Sequence, residues 1–398
     1  MAAIPRYRPQ THWMVFSVGF RPFFLLAAVW AAVAVPVWVL AFTGAVQVPG
    51  AMPPAVWHGH EMVFGFGQAV VAGFLLTAIP NWTGRMPLQG WQLAGLVLLW
   101  LLGRIAMLLS ASLGPVAAGV LDLAFPLVFL AAVAREILAG RNWHNLPMLL
   151  ALGLLFAGNL LVHLGPASLG NRLGVATLLM LISLVGGRIV PSFTRNWLVR
   201  QQPGTPLPAV FGWPDRAALG LTVLALASWA LAPDTAPAPW LALAAGVALA
   251  VRLSRWRGAA TVREPLLGVL HLGYAWLAAG LVLLALPALI PALPASAAMH
   301  ALTVGAIGTM TLAVMSRVTL GHSGRALVAG PGTVWAYGLV SLAALLRIGA
   351  PLGGVWYAPL VSCAGLAWSA AFALFIVVYG PALIAPRRRG TDGRTAEA

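Results

Sequence analysis

Apolar runs of about 20 residues, each long enough to cross a hydrocarbon layer of ~30 Å, recur from one end of this chain to the other and decide what it can fold into. They fall near 20–43, 57–79, 90–109, 114–138, 145–163, 172–194, 214–232, 238–254, 266–290, 297–319, 332–350 and 355–380. A soluble core cannot bury so many separate segments. The 8% of charged residues is also far below the roughly 25% of soluble domains. The expected fold is an all-α polytopic membrane protein of twelve transmembrane helices. No polar stretch is long enough to fold alone, so 1–398 reads as a single twelve-helix domain, with 20–380 as membrane core and 381–398 as a basic cytoplasmic tail. Pro36 and Pro126 should kink their helices, and the Pro- and Ala-rich stretch 231–240 leaves a short loop or a re-entrant turn open.

The basic residues orient the chain. Lys and Arg together number 23, and all are Arg. They come as short clusters between apolar runs, without a zinc-finger, RNA-binding or helix-turn-helix pattern, so the formal charge of +15 does not point to nucleic acid. Twelve crossings put Arg6, Arg8, Arg85, Arg135, Arg141, Arg195, Arg200, Arg216, Arg252, Arg255, Arg257, Arg263, Arg325 and the run Arg387, Arg388, Arg389 on the face of the N-terminus. The other face keeps little beyond Arg172 and Arg347. A miscount of one middle span would destroy that asymmetry, which supports both the count and cytoplasmic termini. The first run follows a polar, basic segment without an adjacent small-residue cleavage site and reads as a retained span. A lone Cys363 excludes disulfides and a multi-cysteine metal site.

The chain also echoes itself. A shift of 240 residues places His60 on His300, Gly65 on Gly305, Thr83 on Ser323, Gly84 on Gly324 and Arg85 on Arg325. Pro191 and Thr194 in the sixth span match Pro80 and Thr83 more faintly. Spans two, six and ten are four helices apart, which suggests three pseudo-symmetric four-helix units.

Histidine is the plentiful metal-ligand type. His58 and His60 open the second span, His163 closes the fifth and His300 opens the tenth, all in the outer layer, meaning the side opposite the termini. His144, His271 and His322 lie toward the inner side. Neutral imidazole ligates heme iron and copper, and two histidines on separate helices can hold a heme between them. Gly65, Gly67, Gly305 and Gly308 would make room for the macrocycle. The bland alternative is interfacial histidines and packing glycines. The alignment of His60 with His300 favours ligation for that pair. His58 and His60 are about 200° apart on a helix and face nearly opposite ways; His58 shares a face with Met62 and could serve a second site, and His163 is a weaker rival.

Ionisable residues inside the spans form a second group, each costly in lipid unless it faces the bundle interior or snorkels. Arg188 follows Gly186 and Gly187 and could meet a heme propionate, bind an anion or cap carbonyls. Asp122 and Arg104 can pair across a short turn as a structural contact. Arg317 lies near the inner end of its span, and Glu61 could relay protons or orient a ligand imidazole. The tryptophans, Trp38, Trp57, Trp100 and Trp256 among them, mostly stand near span ends and read as an interfacial belt. Nucleotide loops and hydrolase sets are absent from the sequence.

The stretch Trp57-His58-Gly59-His60-Glu61-Met62-Val63-Phe64-Gly65 and the later Pro80-Asn81-Trp82-Thr83-Gly84 resemble the NnrS family. So do Gly187-Arg188-Ile189-Val190-Pro191-Ser192-Phe193-Thr194-Arg195 and His300-Ala301-Leu302-Thr303-Val304-Gly305, together with Gly19-Phe20-Arg21-Pro22-Phe23-Phe24. The resemblance implies a multi-pass protein of the bacterial inner (cytoplasmic) membrane that holds heme, of b type, and copper, and that serves nitric oxide metabolism, denitrification or resistance to nitrosative stress. It implies nitric oxide or a related small molecule as ligand and an electron donor as partner. A more distant likeness is to the large subunit of heme-copper oxidases, whose low-spin heme is held by histidines on the second and tenth helices, the places of His60 and His300. The pattern then departs, because the sixth and seventh spans lack histidine, and an oxidase-type copper centre is not expected.

These residues give a ligand set of His60, His300, His58 and His163, with Arg188, Gly65 and Gly305 as further contacts of the cofactor. If the protein is an enzyme, a nitric oxide-linked oxidoreductase is expected. The alternative is a transporter for a metal or small anion without redox chemistry; a third reading is an assembly protein of another membrane complex.

Overall fold

The computed structural model describes residues 14–387 apart from 48, 49, 202, 203 and 291. Arg6, Arg8, Arg388, Arg389 and most of the expected basic tail lie outside the described residues. Among the described residues every regular element is helical. The long helices are α1 Phe20–Phe42, α2 Pro54–Thr83, α3 Trp91–Leu108, α4 Pro115–Ala139, α5 Leu146–Leu164, α6 Ala167–Gln201, α7 Trp213–Leu231, α8 Pro237–Ser254, α9 Pro265–Leu289, α10 Ala295–His322, α11 Pro331–Gly349 and α12 Tyr357–Ile384. Pro54, Pro115, Pro237, Pro265 and Pro331 open their helices, where a missing N–H costs nothing and the fixed φ suits the turn. Pro36 and Pro126 sit inside continuous helices.

Eleven of these helices are long and apolar enough to cross a bilayer on composition alone. The exception is α7, whose 19 residues begin Trp213-Pro214-Asp215-Arg216. A contact at the bundle end identifies it as the twelfth crossing. Arg21, in the first turn of α1, donates from Nη1 to the carbonyl oxygens of Leu383 at 2.9 Å and Ala385 at 2.6 Å, where α12 ends. The start of α1 and the end of α12 therefore share one face, which requires an even number of crossings. The charge in the first turn of α7 is met inside the bundle, where Arg252 of α8 donates from Nε to Asp215 Oδ1 at 2.9 Å. The stretch after α7 is a short turn leading into α8, and a re-entrant segment is not formed.

Helices α2, α6 and α10 touch one another pairwise, and the others pack around them, with α12 closing back onto α1. Burial follows that arrangement: 78% of the membrane window of α2 and 67% of that of α10 are buried, against 33% for α5 and α8. Outer helices approach through small residues; a Cβ on Gly158 of α5 would stand 2.9 Å from the carbonyl oxygen of Gly170 in α6.

The 240-residue echo has a conformational counterpart. In α2 the segment Glu61–Gly67 is wound as a π-helix, and in α10 so is Ala301–Gly308. His60 and His300 each stand immediately before that turn. Gly84 and Gly324, also related by the shift, follow their helices with the same φ of 69°, the left-handed conformation that ends a helix at little cost only for glycine. Helix α6 carries a π turn too, at Ile182–Gly186, but nearer to Pro191 than the α2 turn is to Pro80. The likeness of α6 is the fainter one in backbone as in sequence. Such turns are uncommon and concentrate at functional sites.

Candidate functional site

The central helices part toward the outer layer and leave a cavity of about 450 Å³, within the range of pockets that enclose a small organic group. Its walls are mostly apolar, with Val35, Phe66, Leu178, Ile307 and Trp368 among them, and its polar groups include His58, His300, Arg172, Arg347, Asn171 and Thr303. His300 donates from Nδ1 to the carbonyl oxygen of Ser296 at 2.6 Å. That bond fixes the tautomer and leaves Nε2 with a free lone pair. The His58 ring stacks on Trp38, with centroids 4.2 Å apart and planes at 21°, and its Nδ1 is buried without a hydrogen-bond partner. His58 lies within electrostatic reach of both His300 and Arg347.

Two guanidiniums complete the polar set. Arg347, near the outer end of α11, is 9% exposed, and its Nε and Nη1 are buried without partners. Arg172, near the outer start of α6, uses Nε on the carbonyl oxygen of Ala230 at 3.1 Å. Asn171 beside it has a buried, unpartnered Oδ1. Cationic groups without anions, an imidazole nitrogen without a partner and apolar walls are left together, an arrangement that a bound anionic, metal-bearing group would satisfy. Arg172 and Arg347 are also the two exceptions to the one-sided distribution of arginine in the sequence. That was the available signal for this cavity.

The structure brings His58 and His300 together here and separates His60 from them. His60 projects to the opposite side of α2, as the rotation between the two residues requires. The glycines do not face the cavity either. A Cβ on Gly65 would meet Glu61, Trp30 and Arg104 at 2.8–2.9 Å, and one on Gly305 would meet the Trp276 ring at 2.8 Å. These glycines admit neighbouring side chains. Gly67 and Gly308 do the same for Leu178 and Trp368. Arg188 is exposed and is no part of the lining. Because α6 starts at Ala167 and runs 35 residues, Arg188 lies about 30 Å along its axis at 1.5 Å per residue, well inward of Arg172 and Asn171 at the cavity. The belt reading of tryptophan also needs correction. Trp91, Trp143, Trp213, Trp335 and Trp356 are exposed at helix ends, but Trp57, Trp100 and Trp256 are each 2% exposed and pack in the interior, and Trp38 is 6% exposed against His58.

His60 belongs to a buried polar cluster between α2, α3, α4 and α5. Its Nδ1 is 2.9 Å from Glu61 Oε1, and its Nε2 is 2.8 Å from Asn159 Oδ1 and 3.1 Å from Asp122 Oδ2. His163 Nε2 lies 3.0 Å from the same Asp122 oxygen, and Asn159 Nδ2 donates to it at 2.8 Å. Arg104 joins the two carboxylates, with Nη1 2.6 Å from Glu61 Oε2 and Nη2 on Asp122 Oδ1. The expected Arg104–Asp122 contact is therefore made, inside a larger network. Glu61 meets the His60 imidazole, the orienting contact that the sequence allowed.

A line of smaller spaces continues inward between α2, α6 and α10. An apolar neck of about 90 Å³ shares Leu178 and Ile307 with the outer cavity. Beyond it a space of about 340 Å³ shares Phe74, Ile189 and Val314 with the neck and reaches Arg317 and His322. Arg317 lies over the Phe193 ring, 4.2 Å from its centroid, a cation–π arrangement.

Twelve crossings arranged around a central chamber, with imidazoles and guanidiniums on one side of it, define a polytopic membrane protein with a ligand-sized interior site. The family model described as "NnrS protein" matches residues 14–387, nearly the whole chain. The chain belongs to the NnrS family. A comparison with curated proteins gives no match.

Proposed function

We propose that this protein is a heme protein of the bacterial inner membrane, with its arginine-rich face toward the cytoplasm, that binds or converts nitric oxide. The observation that carries the reading is the pairing, in one apolar cavity, of His58 and His300 with the unneutralised guanidiniums of Arg172 and Arg347. A heme needs both: imidazoles for its iron and cations for its two propionates. In this reading His58 and His300 would supply the imidazoles and Arg347 and Arg172 would meet the carboxylates; a heme held there would supply an iron that binds nitric oxide once one imidazole gives way. The Ser296 carbonyl holds His300 in the tautomer that ligation needs, and the apolar walls exclude water. Nitric oxide is small and apolar enough to arrive through the bilayer, so a soluble substrate domain is unnecessary. Family membership supports the link to nitric oxide.

The visible spectrum of protein purified in detergent tests this. A Soret band with sharp reduced bands is expected, along with their loss or conversion in His58→Ala and His300→Ala. Folded protein free of heme after expression with ample heme supply would sink the reading. The line of spaces past the neck to Arg317 favours a second reading, a carrier for a small anion. Folded, heme-free protein that binds nitrite or nitrate would then be expected, with the binding lost in Arg347→Ala.

A further inference from the structure

We propose that the apolar neck between the outer cavity and the inner space is a docking site for a small uncharged gas molecule, which exchanges with the central cavity. That the gas is nitric oxide rests on the heme reading; that a gas docks here does not.

The three π turns among the described residues meet at this neck. Gly67 ends the turn of α2, Ile182, Val185 and Gly186 belong to that of α6, and Ile307 belongs to that of α10. All five residues line the neck. A turn closed by i→i+5 bonds breaks the i, i+4 ridge with which a helix fills the groove of its neighbour. Where three such breaks meet, the ridges leave space that regular helices would close. Protein interiors are otherwise packed to the density of organic crystals. An open apolar space forfeits the contacts of its lining and lowers stability in proportion to its volume. Packing alone does not require three uncommon turns, one from each related helix, around one such space.

Size and chemistry decide what fits. The neck holds about 90 Å³, less than an apolar cavity of about 150 Å³ that accepts benzene or xenon. A heme or an organic substrate is too large for it, and a diatomic molecule or a single xenon atom is not. Among the described residues Thr311 is the one lining residue with a polar side chain, and its hydroxyl is already donated to the carbonyl oxygen of Ile307 at 2.7 Å. A water molecule in an interior needs two to four polar partners, and an ion needs more. An uncharged gas needs none, and it gains by leaving water.

The neck also stands next to the place where a gas would be used. Leu178 and Ile307 line both the neck and the cavity that holds His58 and His300. A molecule docked in the neck is therefore stored beside those imidazoles, away from water.

The test uses crystals of the full-length protein under xenon at sub-saturating pressure, because xenon enters apolar cavities and is located by its anomalous scattering. We expect xenon in the neck of the wild type, with occupancy falling at least tenfold in Val71→Phe and in Val185→Phe. Both side chains line the neck and neither adjoining space. Leu127→Phe, at a 52% exposed position of α4, is the control and should leave the occupancy unchanged. Added bulk can strain a packed helix, so Val71→Ala, which enlarges the neck and should raise the occupancy, keeps the test open if neither Phe variant folds. A folded wild type without xenon in the neck overturns the proposal, as does undiminished occupancy in both Phe variants. On heme-bearing protein, the fraction of photolysed carbon monoxide that rebinds slowly from within the protein should fall at least threefold in the same two variants. An unchanged fraction overturns the exchange with the central cavity. Absence of heme shows in the visible spectrum and leaves the xenon result standing, so failure of the heme reading and failure of this proposal are distinguishable.

Discussion

His58 and His300 line the same cavity, whereas His60, only two residues from His58 and the partner of His300 under the 240-residue shift, faces a different set of helices. A pseudo-symmetric backbone therefore does not carry pseudo-symmetric ligands. The α2 and α10 π turns correspond, but the side chains ahead of them are put to separate uses.

Spectra should separate the two neighbouring histidines. His58→Ala is expected to convert a six-coordinate low-spin heme to a high-spin or heme-depleted form. His60→Gln should leave the heme bands in place and act on the polar cluster instead. Intact bands in His58→Ala would remove it as a ligand.

Arg347 should matter through charge more than through bulk. Its Nε and Nη1 are buried without partners, and a charge-assisted bond to a carboxylate contributes about 1.5–3 kcal/mol. Arg347→Ala should therefore weaken retention of the cavity ligand roughly 10- to 100-fold, measured as heme loss to apomyoglobin. Arg347→Lys keeps the charge without the fork geometry and should fall between. Equal retention in all three would exclude an anionic ligand at this position.

The inner-side pair of Arg252 and Asp215 should be structural. Arg252 is 2% exposed and also donates from Nη1 to Ser183 O at 3.1 Å and Tyr274 Oη at 2.9 Å. Removing one partner of a buried pair costs about 3–5 kcal/mol. Thermal unfolding in detergent should show a large loss of stability for Arg252→Ala. The Arg252→Ala/Asp215→Ala double variant should lose less than the sum of the single variants, because the residues share one network. Strict additivity would mean that the pair is not coupled.

Topology can be read with reporters. A fusion at Asp234, between α7 and α8, should report the side opposite to fusions at Arg257 and Gly84. The same side for Asp234 and Gly84 would mean that α7 does not cross, in conflict with the contact between Arg21 and the end of α12.

Gly84 and Gly324 should respond alike to alanine. Both hold φ of 69°, and a Cβ in that conformation costs roughly 1–2 kcal/mol. Gly95, in the second turn of α3 with open space where its Cβ would be, should accept alanine without loss and serves as control. A large difference between Gly84→Ala and Gly324→Ala would argue against equivalent helix ends.

The sequence by itself determined the class, the helix number and the repeat. Twenty-residue apolar runs have one stable outcome in lipid, since each backbone must satisfy its own hydrogen bonds. The asymmetry of arginine fixes which ends of the helices share a face, and the Gly84–Gly324 correspondence is written in residues that only one backbone conformation demands. The sequence also carried the family resemblance, on motifs spread from Gly19 to Gly305. It left undecided which histidine of the His58–His60 pair meets His300, because a helical repeat gives depth but not rotation. Rotation is set by packing, and here it turned His60 onto Asp122 and Asn159, residues 62 and 99 positions away. It likewise turned Gly65 onto Trp30 and left Arg188 exposed on α6, outside the lining of the central cavity. The two arginines on the sparsely charged face were visible from the start, and only the tertiary structure brought them to one cavity, by packing α6 and α11 around it.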